Sequence, residues 1–211
     1  MDRLARTAAG VTAAFVALLV VAVVSTERHH PSPPDPTAAL VDAWRTSRTA
    51  THRSTGTFER VAGDGTRLAA PTEIVQRPPD RLVRGFDEVS GRRDDRVLAC
   101  PAPLDASPMA CTLGQPGPDF AQVVLDEVAT FEALVAGDDP LYLVDFGEDE
   151  GCWRMERTRN DPRSGYGESA ELCFDPATGA MASIRIDHGD IVETTVYDEI
   201  SADVSDADLE P

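Results

Sequence analysis

Few side chains in this sequence have the types and spacings that enzymes use for catalysis. The 211-residue chain holds four histidines, which are an adjacent pair at His29 and His30 and single residues at His52 and His188. No HExxH, GxSxG, Walker loop or GxGxxG motif occurs, and residues 164–167 lack the strand-to-helix context of a nucleophile elbow. We therefore predict no catalytic residues, no cofactor and no enzymatic activity.

Acidic side chains dominate the charge and are concentrated in one part of the sequence. There are 37 acidic side chains against 19 basic ones, and every basic residue is arginine. Residues 37–100 hold nine acids and eleven arginines (net +2), whereas residues 101–211 hold 25 acids and five arginines (net −20). Few cations in the C-terminal half are available to contact phosphates, which disfavours anionic lipid head groups there and excludes nucleic acid as a partner. So dense a carboxylate population also singles out no pair for hydrolysis.

Two acidic runs offer oxygen ligands of the kind that Ca²⁺ takes. They are Asp138 with Asp139, and residues 148–150. Neither run has the spaced acids of an EF-hand loop, so we interpret both as solvated turns and predict no metal site.

Four cysteines, Cys100, Cys111, Cys152 and Cys173, allow three pairings in principle. We predict two local disulfides, because Cys152 and Cys173 lie on neighbouring predicted strands and a Cys100–Cys111 bridge would close the proline-rich loop between them. Each bridge would contribute on the order of 3 kcal/mol by the chain-entropy argument. Zinc ligation is the alternative, but no CxxC or paired-histidine spacing supports it.

An apolar segment near the N-terminus indicates where the protein works. Residues 7–26 contain no charged side chain, and twenty helical residues span about 30 Å, the thickness of the hydrocarbon core. Arg3 and Arg6 precede the segment, which predicts a cytoplasmic N-terminus and an extracytoplasmic remainder. We favour an uncleaved, single-pass signal anchor over residues 1–26. A removed signal peptide is the alternative, although residues 23–25 match a cleavage site only weakly.

The rest of the sequence divides into a linker, one domain and a tail. Residues 27–36 are rich in proline and predict an extended, semi-rigid spacer. Residues 37–200 form the predicted domain. Residues 201–211 are acidic, with Val204 as their apolar anchor, and predict a frayed tail.

Periodicity predicts two helices in the domain. The first has Thr37 as its N-cap, carries Leu40, Val41 and Trp44 on one face, and ends near residue 49. The second runs from a cap at Asp119 to Gly137, with apolar residues at helical spacing: Phe120, Val123, Val124, Val128, Phe131, Leu134 and Val135.

Short segments between turn signals predict antiparallel strands on both sides of the second helix. The predicted strands are residues 55–61, 68–76, 81–86 and 96–100, followed after the helix by 141–146, 152–158, 168–174, 181–186 and 191–200. This element order predicts an α+β fold in which a sheet packs with two helices, preceded by the N-terminal transmembrane helix.

Six arginines cluster in the predicted hairpins of the N-terminal half: Arg77, Arg81, Arg84, Arg92, Arg93 and Arg96. They could face the acidic half of the chain or an acidic partner. Exposed, mixed ion pairs are the simpler interpretation, and such pairs contribute little individually.

The layout resembles the LolA-like envelope carriers, and most closely the LppX/LprG type of lipoprotein. Three features carry the resemblance: an entry helix with Trp44, the extended stretch of residues 57–60, and the turn over residues 173–180 into paired strands. The resemblance implies a curved, half-barrel-like antiparallel sheet around an apolar cavity, in a hydrophobic-ligand carrier or an envelope sensor. The chain departs from the pattern because no lipobox cysteine follows the apolar segment.

Two functional hypotheses follow. In the first, a membrane-tethered extracytoplasmic domain binds a lipid or a lipoprotein acyl chain between sheet and helix. The predicted ligand-binding walls are Trp44, Phe120, Val124, Phe131, Tyr142 and Val144. In the second, the domain is a protein-interaction or sensor module with a packed core, which meets an acidic partner through its arginine-rich hairpins. The run of apolar residues at 141–144 suits either a cavity wall or a strand buried under the second helix.

Overall fold

One open, curved sheet of antiparallel strands with two helices makes up the described part of the chain. A computed structural model describes residues 34–85, 88–101 and 111–210. The predicted anchor over residues 1–26 and most of the predicted linker lie outside them. Within the described residues, no helix is both long and apolar enough to cross a membrane.

Helix α1 is Pro36–Thr49 and begins earlier than predicted. Its N-cap is Asp35, whose carboxylate accepts a hydrogen bond from the Thr37 backbone N at 3.0 Å. Pro36 fits the first turn because the N–H that it lacks would have no helical partner there. The prediction of Thr37 as N-cap is therefore wrong. Leu40 and Val41 are buried on one face of the helix.

Helix α2 is Phe120–Val135, with the predicted cap at Asp119, whose carboxylate accepts from Ala121 N at 3.3 Å. Its buried residues follow one another at spacings of four, three and four: Val124, Val128, Phe131 and Val135. This stripe faces the sheet and α1, as the apolar periodicity predicts.

Eleven strands form the sheet: β1 His52–Ala62, β2 Arg67–Arg77, β3 Asp80–Arg84, β4 Glu88–Arg93, β5 Arg96–Pro101, β6 Thr112–Pro116, β7 Tyr142–Phe146, β8 Cys152–Arg157, β9 Ser169–Phe174, β10 Met181–Asp187 and β11 Ile191–Ser201. Their order is β6-β5-β4-β3-β2-β1-β11-β10-β9-β8-β7. The sequence prediction missed β4 and β6. A glycine and two arginines interrupt β4, and every residue of β6 is exposed, so neither strand shows the apolar alternation of a half-buried strand.

The sheet consists of two meanders, β1–β6 and β7–β11, which join where β1 pairs with β11. A register irregularity lies between Thr55 and Gly56 in this pairing. A Cβ atom at position 56 would lie 1.9 Å from the Val196 carbonyl oxygen. Only glycine therefore permits this approach of the two strands.

The two faces of the sheet bury different apolar clusters. The larger cluster packs α1 and α2 on the C-terminal meander and includes Leu40, Phe131, Met155 and Leu172, none of which is more than 2% exposed. The smaller cluster lies on the N-terminal meander: Val75, Leu82, Val89, Leu98, Cys100 and Leu209.

Strand register places the smaller cluster on the face that points away from the helices. Val75 pairs with Leu82 in one row, whereas Gln76 pairs with Arg81, and Arg81 with Arg92, in the neighbouring row. Neighbouring rows point to opposite faces. Gln76 donates to backbone carbonyls at the C-terminal end of α1, so its row lies on the helix side. We call these two sides the helix face and the tail face.

The C-terminal segment covers the tail face. It forms a short 3₁₀-helix, Ala207–Leu209, whose Leu209 is 2% exposed in the smaller cluster. Arg53 donates to the Asp208 carboxylate at 3.0 Å, and Arg77 to Asp206 at 2.5 Å. The prediction of a frayed tail is wrong, because its acids meet arginines and a leucine anchors it.

Both predicted disulfides are present, and each lies within one meander. Cys152 and Cys173 are direct partners in the β8–β9 register. Cys100 pairs with Cys111 and is buried in the smaller cluster, with Cys111 packed against it. Each meander thus has its own covalent closure.

Candidate ligand groove

An aromatic cluster joins the two helices to the loop between β8 and β9. Trp44 of α1 stacks on Phe131 of α2 with ring centroids 4.6 Å apart, and Tyr166 meets the Phe131 ring edge-on at 5.7 Å. The Tyr142 hydroxyl donates to the Gly167 carbonyl at 3.1 Å and accepts from Tyr166 N at 3.2 Å, which fixes the loop. Burial raises the pKa of Tyr166 to about 12, so the ring remains neutral.

A groove of about 410 Å³ opens beside this cluster, between α1 and α2. We call it the helix groove. Most of its lining residues are apolar or aromatic, and the charged ones lie at the rim. The lining consists of Trp44, Arg48, Val123, Asp126, Glu127, Thr130, Phe131, Leu134 and Tyr166. The Nε1 atom of Trp44 is buried and has no hydrogen-bond partner among the described residues.

A second groove, of about 240 Å³, lies between α2 and the helix face of β2–β4. We call it the sheet groove. It is lined by Arg48, Gln76, Arg81, Val83, Gly91, Arg92, Phe120, Val123 and Glu127. The two grooves share Arg48, Val123 and Glu127, so a ligand could extend from one into the other.

Arg81 is the least satisfied charged residue of the sheet groove. It is partly buried, and its Nε is shielded from solvent without a hydrogen-bond partner among the described residues. Burial, helped by the nearby positive charge of Arg48, lowers the pKa of Arg81 to about 10. The guanidinium therefore stays charged at neutral pH in surroundings that stabilise charge poorly.

The other two arginines of the sheet groove have partners. Arg48 donates from Nε to Glu127 at 2.7 Å, and its guanidinium lies 5.1 Å from the centre of the Trp44 ring. Arg92 donates to the Asp95 carboxylate at 3.1 Å and to the Pro118 carbonyl, but its Nε is buried without a partner among the described residues.

Buried polar side chains link the floor of the sheet groove to α1. Gln76, 1% exposed, donates to the Ser47 carbonyl at 2.9 Å and the Ala50 carbonyl at 2.7 Å. His52 Nδ1 lies 2.9 Å from Ser54 Oγ, and both side chains are buried. Burial and the charge of Arg81 lower the pKa of His52 to about 4, so this histidine is neutral at physiological pH.

The six predicted ligand-binding residues divide between grooves and core. Trp44 and Phe131 line the helix groove, and Phe120 lines the sheet groove. Tyr142 and Val144 border a separate pocket with residues of the linker end and of β7, and Val124 is 8% exposed within the core stripe of α2.

Sequence reasoning did not place in the grooves the residues that give them their polarity. Arg81 and Arg92 stood in the predicted arginine cluster, as exposed ion pairs or a surface for an acidic partner. Arg48 and Glu127 were not singled out, because nothing in a single sequence shows which strand faces meet α2. Tyr166 was assigned to a loop, although a lone aromatic residue between glycines hints at a packing role. Val123 stood in the predicted α2 periodicity but not among the predicted walls.

Comparisons of the whole chain give matches among solved structures alone. No protein-family model matches the sequence, and no curated protein matches it. A complex of MucA and MucB from Pseudomonas aeruginosa is similar, with a TM-score of 0.49 and 14% identity over 84% of this chain. The chain spans 61% of the length of that MucB-complex chain.

Two further solved structures match over nearly their full length. A LolA superfamily protein from Nitrosomonas europaea has a TM-score of 0.37 at 6% identity, and covers 84% of this chain and 99% of its own. A DUF1329 family protein from Desulfovibrio piger has a TM-score of 0.37 at 13% identity, covering 84% and 98%. The resemblance to LolA-like proteins predicted from the sequence is thus found among solved structures. At TM-scores below 0.5, function has to be argued from this chain's own site.

Proposed function

We propose that residues 35–210 form an extracytoplasmic domain that binds a hydrophobic ligand, such as a lipid or an acyl chain, between the helices and the sheet. The observation that carries the proposal is the pair of grooves joined at Val123. Their apolar residues, including Val83, Phe120 and Leu134, provide a surface that an acyl chain can cover.

The uneven packing of the helices supports this proposal. Over the C-terminal meander, α1 and α2 pack closely on the sheet and bury Leu40, Met155 and Leu172, each of which is 0% exposed. Over β2–β4, the described residues that border the helix face come from the N-terminal end of α2 and the C-terminal end of α1. The sheet groove therefore leaves open space on this half of the sheet, where a ligand could complete the packing.

An extracytoplasmic location fits the covalent structure. Both disulfides close within the domain, and structural disulfides persist in oxidising compartments. The apolar segment before residue 27 supplies the expected route across the membrane, with the grooves on the outer side.

A carrier or sensor role is proposed in preference to catalysis. His52 and Ser54 form a hydrogen-bonded pair of the type that some hydrolases use, but they are 3% and 0% exposed. A substrate cannot reach a nucleophile so deeply buried, and a neutral histidine hydrogen-bonded in the core is a structural element.

Filling the shared part of the grooves tests the proposal. The full chain, exported in a bacterial host, is purified and extracted with organic solvent, and co-purified lipid is identified by mass spectrometry. We expect Val123→Trp to lose most of the bound lipid, because the indole occupies both grooves. Leu125→Trp is the matched control on the same helix, since Leu125 is 62% exposed. Equal lipid content in the two variants, both folded by circular dichroism, would contradict the proposal.

A second candidate function, a protein-interaction module, rests on the edge of the N-terminal meander. Val97 on β5 and Leu113 on β6 are 53% and 51% exposed, and β6 ends the sheet among the described strands. Such an edge can accept a further strand from a partner. A photo-crosslinking residue at Leu113 should capture a membrane or envelope protein if this is the binding surface. The same residue at Val196, equally apolar but central in the sheet, should not.

A further inference from the structure

Positive charge is concentrated at the sheet groove without matching negative charge. Three guanidinium groups line it, from Arg48, Arg81 and Arg92, against one carboxylate, from Glu127. Arg48 already engages that carboxylate at 2.7 Å. Asp95 engages Arg92 from a position that is 61% exposed, outside the groove lining. Arg81 therefore forms no ion pair with a described residue, and it shares the field of the Glu127 carboxylate with Arg48.

Hydrogen-bond donors in the groove are also unused. The Nε atoms of Arg81 and Arg92 are both shielded from solvent and lack acceptors among the described residues. The two residues are direct partners in the β3–β4 register, so their side chains emerge from the same row of the sheet. Buried guanidinium donors normally find an acceptor, because an unpaired one loses its hydration without replacement. An anionic oxygen that enters the groove would supply that acceptor.

Apolar residues lie directly beside these donors. Val83 projects from the same face of β3 as Arg81, and Phe120 and Val123 cover the groove from α2. Val123 then leads into the helix groove, with Phe131 and Tyr166. The lining thus changes from cationic to apolar along one path, and this polarity matches a ligand with a charged end and a hydrocarbon chain.

We propose that Arg81 and Arg92, with Arg48 at the rim, bind the anionic head group of an amphiphile, a phosphate ester or a carboxylate, whose chain passes Val123 into the helix groove. This inference rests on the proposed function and specifies its ligand. Guanidinium groups suit both head groups, because their planar donors match the spacing of phosphate and carboxylate oxygens.

The charge of the rest of the chain argues against a free inorganic anion as the ligand. Residues 101–211 carry a net charge of −20, and their field repels anions from the domain. Arg81 counteracts this repulsion only locally. Burial of the hydrocarbon chain, at about 25 cal/mol per Å², adds the affinity that the head group alone lacks. An anionic amphiphile should therefore bind more tightly than phosphate does.

Titration calorimetry with three probes separates the contributions of charge and chain. The full chain is studied at neutral pH in phosphatidylcholine nanodiscs, or free in buffer if the apolar segment is removed on export. The probes are octyl phosphate, octanol and inorganic phosphate. We expect octyl phosphate to bind at least about tenfold more tightly than either of the others, since each of them supplies half of the interaction.

Two substitutions locate the anion site. Arg81→Gln should weaken octyl phosphate binding about tenfold while leaving octanol binding unchanged, because it removes the charge and keeps the chain contacts. Arg77→Gln is the matched control: it removes an arginine from the tail face four residues earlier and should leave both affinities within about twofold. Thermal melts establish that both variants are folded.

Each alternative outcome has a distinct meaning. Equal octyl phosphate affinity in the wild type and Arg81→Gln overturns the head-group site, and persistent octanol binding would then leave the hydrophobic-ligand proposal intact. Inorganic phosphate binding as tightly as octyl phosphate would show a simple anion site without a chain path, against both proposals. Failure of all three probes to bind would likewise overturn both.

Discussion

The two faces of the N-terminal meander use the same residue type in opposite ways. On the tail face, Arg53 and Arg84 both donate to Glu73, at 2.7 and 2.6 Å, and Arg53 also reaches Asp208 at 3.0 Å. On the helix face, Arg81 lies one strand position from Leu82 of the tail-face cluster and has no such partner among the described residues.

This difference shows what the acidic tail contributes. Residues 203–210 bring carboxylates and backbone carbonyls to the arginines of one face, so that face is complete within the chain. On the helix face, Arg92 meets Asp95 and the Pro118 carbonyl, whereas Arg81 forms no ion pair with a described residue. Arginines whose donors have acceptors within the chain indicate a structural role. An arginine in a groove whose donors lack acceptors indicates a binding role. Substitutions on the two faces should therefore differ in sign as well as in size.

Truncating Leu209 should have the largest effect. This side chain is 2% exposed within the smaller cluster, on the tail face. Leu209→Ala should therefore lower the free energy of unfolding by about 3 kcal/mol. Urea unfolding measures the change. Leu113→Ala, at a position 51% exposed, is the control and should cost less than about 0.5 kcal/mol. A small loss for Leu209→Ala would mean that the tail does not stay docked in solution.

Stability should decrease as the pH is lowered, because of His52 on the helix face. Its folded pKa is about 4, below the ordinary 6.5, so the unfolded chain binds a proton between these values and the folded chain does not. The stabilisation from neutral His52 is thus complete above pH 6.5, is lost as pH falls towards 4, and does not fall further below that. Over this pH range the wild type should lose on the order of 2 kcal/mol more free energy of unfolding than His52→Gln does.

Urea unfolding of the wild type and His52→Gln at several pH values isolates this term from the many carboxylates. In an Arg81→Met background the folded pKa of His52 should rise, since one of the charges that lower it is gone. The pH range over which stability is lost, which lies between the folded and the unfolded pKa of His52, should then become narrower. Identical pH curves for the wild type and His52→Gln would show that the histidine is not buried as described.

Glu73→Gln should cost about 1 kcal/mol. The carboxylate is 16% exposed and accepts from two guanidinium groups, which an amide satisfies less well. Glu59→Gln is the control, because its single pair with Arg67 is largely exposed and such pairs contribute little. If both variants lose equal stability, the hydrogen bonds from Arg53 and Arg84 to Glu73 stabilise the fold no more than an exposed ion pair does.

Arg81→Met should raise the free energy of unfolding, by up to about 1 kcal/mol. Methionine keeps the aliphatic volume and removes an unpaired, poorly solvated charge. Arg84→Met, on the opposite face of the same strand, removes a paired guanidinium and should lower stability instead. Destabilisation by both substitutions to a similar extent would show that Arg81 has a structural partner and would weaken the comparison of the faces.

Much of the fold could be predicted because its determinants are local. The α2 stripe, the cap at Asp119 and the turns around Gly179 and Gly189 specify elements within a few residues of themselves. Strand β6 could not be predicted, because its five residues are all exposed and its stability comes from pairing with β5. The docked tail was not predicted for a similar reason: only its packing against Val75 and Leu82 shows that Leu209 is a core residue.

The site was less predictable than the fold because it depends on register. Trp44, Phe120 and Phe131 could be named as walls from their helical faces alone. Arg81 lies in the groove only because β3 pairs with β2 so that Gln76 is opposite it, and a shift of one residue would place Leu82 there instead. No local pattern in the sequence decides between these registers.

The pairing of the first strand with the last also governs when the domain can be completed. Arg60 on β1 bonds Glu193 on β11 across 133 positions of sequence. A chain that emerges N-terminus first, from a ribosome or through a translocation channel, leaves one edge of β1 exposed until the last strand has followed. The N-terminal meander and its disulfide can form early, but the two halves of the sheet become one only after β11 has emerged. During that interval the open edge of β1 is the part of the chain most in need of protection from aggregation.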